Sequence, residues 1–101
     1  MKIEFEDWGI WNEGYEAVVL HGTVDGQGFA LIFAAEVLAE LFDVSNKPNR
    51  LEGVFKQNME FMQHIGRSVI EAGMLRWDGT VILERKDLLP YFEKRAVTAP
   101  A

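Results

Sequence analysis

The sequence contains no cysteine, only three prolines, two histidines and two serines. Without cysteine there are no disulfides, no thiolate metal sites and no cysteine nucleophile, and the composition fits a reducing compartment. Neither serine, Ser45 or Ser68, lies in a nucleophile-elbow sequence. Apolar runs are short, and none approaches the ~20 residues of a membrane span. The opening residues Lys2, Glu4 and Glu6 place charges where a secretory signal needs an apolar stretch, so the expected compartment is the cytoplasm. Basic residues are also scarce. Ten Lys and Arg stand against sixteen Asp and Glu, a formal charge of −6. An acidic body repels phosphate backbones and argues against nucleic-acid binding. Only Arg85-Lys86 and Lys94-Arg95 could build a local basic patch.

What is present is grease. Hydrophobic residues make up 49% of 101 residues, with 26% charged, the balance of one globular domain and not of a disordered chain. We expect a single α+β domain over residues 1–92, with a flexible C-terminal tail at 93–101.

The organising stretch is Asn49 to Gly73, which reads as one long helix. Asn49 suits the N-cap, Glu52 stands at capping-box spacing, and Gly73 suits a left-handed ending with Met74 folded over Val69. At ~100° per residue, Leu51, Val54, Phe55, Met59, Met62, Ile65, Val69 and Ile70 share one side. Phe61 widens that arc to about half the helix, broader than one core contact requires. Asn58 interrupts it as a polar group, read either as a core amide or as a recognition residue. Gly66 also lies on the apolar side, where close approach of another backbone would explain it.

Taken in order, Lys2 to Glu6 alternates as an edge strand with Ile3 and Phe5 inward. Asp7 to Gly14 reads as a loop whose Trp8 and Trp11 plug the end of the core. Tyr15 to Val24 and Gln27 to Ala34 form a hairpin about Asp25-Gly26. Both strands are apolar on both faces, so something must cover each. Helices take one face. The other falls to the C-terminal part of the chain or to a second copy. Ala35 to Phe42 is a short, poorly capped helix. Asp78-Gly79 suggests a second hairpin leading into Thr80–Glu84, and Asp87 to Phe92 one further helical turn. The architecture is therefore a mainly antiparallel sheet packed against one long helix and one short helix.

No catalytic, cofactor-binding or metal-binding set emerges, and no cofactor is implied. Glu60, His64 and Glu71 have the spacing of ligands on one helix face, but that face is solvated. Glu4, Glu6, Glu36, Glu40 and Glu84 fall on wet faces and build no carboxylate pair. Asp25-Gly26-Gln27-Gly28 is a hairpin turn and not a phosphate cradle.

The ordered landmarks resemble a family of short bacterial proteins, domain-of-unknown-function family 1488. They are Ile3-x-Phe5-x-Asp7, Trp11, Val24-Asp25-Gly26, Glu36-Val37-Leu38, Phe55-x-x-Asn58, Met62, Ile65, Glu71-x-Gly73, Asp78-Gly79-x-Val81-x-Leu83 and Asp87. The resemblance spans about residues 1 to 89. Met59 stands where members tend to have Arg, and Leu31 where Cys is common. It implies a compact α+β fold and a bacterial cytoplasmic origin, and supplies no catalytic residues.

The surplus of apolar surface points to a non-catalytic, self-associating protein-interaction domain, a homo-oligomer and in the simplest case a dimer. The competing reading is a small-ligand domain or minor enzyme, with a pocket lined by Trp8, Trp11, His21 and Asn58. Phe61 or the tryptophan segment would form the interface in the first reading. A nucleic-acid accessory role through the basic C-terminal residues is a third.

Overall fold

A computed structural model describes residues 1–98. The elements run β1 (Ile3–Asn12), β2 (Ala17–Val24), β3 (Gln27–Ala34), α1 (Ala35–Phe42), α2 (Pro48–Gln57), α3 (Met59–Glu71), β4 (Thr80–Leu83) and α4 (Arg85–Thr98). The sheet order is β1-β2-β3-β4; the first two pairings are antiparallel and the last is parallel. The fold is α+β with a mixed, mostly antiparallel sheet. It has four helices among the described residues, in place of the one long and one short expected.

The β2–β3 hairpin forms as the Asp-Gly pair dictates. Asp25 and Gly26 take φ of 50° and 83°, the two positive values that a type I′ turn needs. The second Asp-Gly does something else. Arg76 N–H donates to the Thr80 carbonyl at 2.8 Å and Gly79 N–H to the Arg76 carbonyl at 2.9 Å, closing a local turn with no strand before it. β4 then pairs with β3 in parallel, which a hairpin cannot do. The crossover through three helices supplies the needed connection.

β1 is longer than expected and includes both Trp8 and Trp11. Between Phe5 and Gly9 its register shifts: four steps of β1 pass two steps of β2, from Gly22 to Leu20. The irregularity erases the alternation, so this segment reads as a loop although it is strand.

The expected 49–73 rod is two helices. The first starts on Pro48, with Lys47 at the cap and no side-chain cap bond. Glu52 caps nothing; its carboxylate accepts from the Trp11 backbone N–H at 2.8 Å. Asn58, at φ −118° and ψ 27°, leaves helical geometry, and its Nδ2 donates to the Val54 carbonyl at 2.8 Å. That side chain competes for a carbonyl of the helix ladder, a recognised cause of breaks. The far end follows expectation. Gly73 has φ 74°, Met74 N–H donates to the Val69 carbonyl at 3.2 Å, and Gly73 N–H to the Ile70 carbonyl at 3.0 Å.

α4 begins where Asp87 Oδ2 accepts from the Glu84 N–H at 2.9 Å, an acid reaching back to the residue that opens the helix. It continues past Pro90 to Thr98, so residues 93–98 of the expected tail are helical, and 99–101 lie outside the described residues.

All four helices send buried side chains to one face of the sheet. Leu20, Leu31 and Phe33 meet Leu38, Leu51, Phe55, Met62, Ile65 and Leu88 in the main core, all of them fully or almost fully buried. Phe33 and Phe55 cross edge-to-face with centroids 5.2 Å apart. Each such side chain stabilises by ~1.5–3 kcal/mol. Gly66 belongs here too, and side chains explain it, not a backbone. A methyl placed there would lie 2.6 Å from Leu31 Cδ1 and 2.9 Å from Phe5 Cε1.

Two substitutions of like chemistry should therefore differ in sign. Gly53→Ala, in an exposed helical position with nothing within 4 Å, should stabilise by about 0.5–1 kcal/mol. Gly66→Ala should destabilise by about 1–3 kcal/mol through overpacking. Urea denaturation of both variants measures this.

Candidate functional site

Strand residues alternate between faces, so the residues beside the core side chains point the other way. Register places Ile10 opposite Val19, Val19 opposite Ile32, and Ile32 opposite Ile82. These four make one apolar row across all four strands. Val19 and Ile32, in its middle, are 4% and 3% exposed; Ile10 and Ile82, at its ends, are 43% and 42% exposed. Ala17, Val19 and Ile32 form a second apolar cluster with Ala30 packed against it, and no helix residue belongs to it. The C-terminal helix, one of two covers expected for this face, packs on the other side through Leu88.

The face grades from apolar to polar along the strands. Beyond the isoleucine row comes His21, paired with Ala30, which pairs with Thr80. Beyond that lies Glu4, paired with Thr23. Small side chains at this end leave a groove of about 440 Å³, lined by Glu4, Glu6, His21, Thr23, Asp78 and Thr80 among others. Acids dominate it. Among the described residues no three His, Asp or Glu groups are placed to hold a metal.

The residues expected to share a pocket are spread over the molecule. Trp8 is 52% exposed on β1 and plugs nothing. Trp11 is half-buried against the core, with Nε1 donating to Glu13 at 2.7 Å. His21 lines the polar groove, Asn58 marks the helix break, and Trp11 borders a separate depression beside Glu13 and Glu36. Phe61 is half-buried against the core, edge-on to Phe92 at 5.0 Å. His21, Asn58 and Trp11 thus line three different depressions among the described residues. The most presented aromatic was not singled out in the sequence: Trp77, in the turn before β4, is 95% exposed. Its signal was its position, directly before Asp78-Gly79, where a turn leaves a side chain nothing to pack on.

No helix among the described residues is long and apolar enough to cross a membrane. The described residues also include no buried polar or charged side chain.

Asp78 holds the turn beneath Trp77. Its Oδ1 accepts from Thr80 Oγ1 at 2.7 Å and from the Thr80 N–H at 3.1 Å. The side-chain bond, then the backbone bond, keeps its carboxyl below the ordinary 3.8. A lowered carboxyl stabilises the turn above pH 3.8, and that contribution fades as pH falls through the folded value. Carboxyl titration by NMR should place Asp78 below 3.8, and Thr80→Ala should move it up toward that value.

No family model matches the chain, and no curated protein sequence matches it. A crystal structure does: a protein of unknown function from domain-of-unknown-function family 1488, from Shewanella loihica. It superposes with a TM-score of 0.72 at 19% identity, over 84% of this chain and 97% of that one. The family that the sequence landmarks resemble is thus met again in three dimensions, and the chain has the fold of a protein of family 1488.

Proposed function

We propose that the chain is a non-catalytic member of family 1488 that works by self-association, two copies meeting through the sheet face no helix covers. One observation supports this most: the row Ile10, Val19, Ile32 and Ile82 spans every strand, and its ends are open. A second copy of this chain is the occupant of choice, because sheets stack face to face at ~10 Å in aligned sandwiches. The alanines beside the row, Ala17, Ala30 and Ala34, are small enough for that approach.

The size is adequate. Strands ~4.8 Å apart and ~3.4 Å per residue give this face about 500 Å². Stacked over the whole of it, polar end included, two copies would bury at most about 1,000 Å², the lower bound for a specific interface. Such a contact is two-fold symmetric, with the same patch on both sides.

The competing readings draw less support. The pocket reading has less behind it because His21, Asn58 and Trp11 border three different depressions. Of the two candidate basic pairs, Arg85 pairs with Glu40 at 2.9 Å and Lys86 with Glu84 at 3.7 Å, which lowers the positive charge that the first presents.

Light scattering at tens of micromolar, the regime of a small interface, should give twice the 11.5 kDa chain mass. Ile82→Asp and Ile10→Asp change exposed side chains and should leave helical circular dichroism intact. Each occurs twice in a symmetric dimer, so losing about 2 kcal/mol per site weakens association roughly a thousandfold. Both variants should run as single chains, whereas Lys56→Glu, on the helical side, should not. Wild-type protein at the mass of one chain would remove the proposal.

A further inference from the structure

The turn Arg76-Trp77-Asp78-Gly79 presents an indole to water on a fixed support. Trp77 is almost fully exposed, and among the described residues its ring makes no aromatic contact or hydrogen bond. The backbone beneath it is tied down. Arg76 N–H donates to the Thr80 carbonyl, Gly79 N–H to the Arg76 carbonyl, and Ala30 N–H to the Gly79 carbonyl at 2.9 Å, which fastens the turn to β3. Asp78 Oδ1 holds Thr80 from the side. A side chain presented on a rigid turn loses little freedom when it is covered. Trp and Arg are also the residues that most often anchor interfaces.

The groove at the polar end of the open face lies at the same end of the sheet, with Asp78 and Thr80 in its wall. Its volume of about 440 Å³ falls in the ~300–1,000 Å³ range of pockets for small organic molecules, so a bicyclic ring fits. Thr23, Gly28 and Ala30 keep it open through their small size. Glu4, Glu6 and Asp78 offer it acceptors. Of the described ion pairs only one touches these acids, Lys2 at 3.7 Å from Glu4. An indole N–H is a donor and nothing else. The ring lacks a cover and an acceptor, and the groove lacks a filling and a cation.

We propose that in the sheet-to-sheet pair each copy seats Trp77 in the groove of the other, with Arg76 against Glu4 and Glu6 at the rim. This rests on association through the open face and fixes its orientation. A face can stack on itself about a two-fold axis in two ways. An axis across the strands sets the groove end over the far end, where Tyr15 lies in the β1–β2 turn. An axis along the strands sets the two groove ends together, and only then does Trp77 reach the partner's groove. Area favours the second. The face alone supplies at most about 1,000 Å², whereas two buried tryptophans of ~150–250 Å² each raise the total to about 1,300–1,500 Å². That lies inside the ~1,200–2,000 Å² of stable specific interfaces. Charge requires a cation there, since the joined ends otherwise set Glu4, Glu6 and Asp78 against their own copies. Arg76 is carried to that contact by the same turn.

Dissociation constants from sedimentation equilibrium test this on the full chain. Trp77→Ala removes a ring with no described contact in its own chain, so circular dichroism should not change. The residue occurs twice in the pair, and its loss should weaken association about a hundredfold or more. Arg76→Glu should weaken it about tenfold or more, by turning an attraction into a repulsion at both ends. Tyr15→Ala, exposed at the far end, should associate like the parent. In a mixture of labelled and unlabelled chains, Trp77 ring protons should give cross-peaks to the Ala30 and Thr23 methyls of the other copy. Parent protein at the mass of one chain removes both the sheet contact and this placement. Parent at two-chain mass, with Trp77→Ala or Arg76→Glu associating as tightly, removes the placement alone. Tyr15→Ala weakening association while Trp77→Ala does not is the result of the crossed orientation and overturns the placement as well.

Discussion

A strand points alternate side chains to opposite faces, and the described helices pack on only one of them. The rest of the architecture follows from that. Phe29, Leu31 and Phe33 face the helices and reach 4% exposure or less. Their neighbours Ala30 and Ile32 face the other way, where a second cluster contains strand residues alone. A central strand apolar on both sides costs little if both are covered. On the second face the middle is already buried, Val19 at 4% and Ile32 at 3%, and the apolar area left in water at ~25 cal/mol per Å² is at its ends, Ile10 and Ile82.

The edges of the sheet are treated differently from its open face. β1 is an edge strand, and two of its backbone groups are met by side chains from the helices: Trp11 N–H by Glu52, and the Glu6 carbonyl by Gln63 Nε2 at 3.4 Å. Glu4 and Glu6 add charge along the same strand. β4, the opposite edge, has only four residues. Short, charged or covered edges discourage growth by strand addition. Strand addition at either edge is thereby disfavoured, which is consistent with the proposed contact through the face.

Much of this was legible in the residues, and the failures have causes. The Asp25-Gly26 hairpin, the bounds of α1, the Gly73 ending and the two-faced strands follow from local chemistry, which a sequence carries directly. The helix break at Asn58 did not show, because both halves keep facing the same core and the apolar period passes through the break unaltered. β4 misled for another reason: Asp78-Gly79 specifies a turn but not the partner of the strand after it, and parallel pairing with β3 is a long-range choice. The bulge in β1 hid a strand by destroying its alternation. Pro90 and the charged residues after it read as an ending, although Asp87 accepts from the Glu84 N–H at the start of a helix that runs on to Thr98. Of the expected site residues, Asn58 and Phe61 meet around Arg95, whereas Trp8, Trp11 and His21 stand apart.

The most direct measurement is an isotope-filtered NOE experiment on a mixture of labelled and unlabelled chains, which reports only contacts between copies. Methyl groups of Ile10, Val19, Ile32 and Ile82 should give cross-peaks to the unlabelled partner, with none from α2 or α3. Cross-peaks confined to helical residues, or none from those four methyls in a sample of proven two-chain mass, would contradict the account.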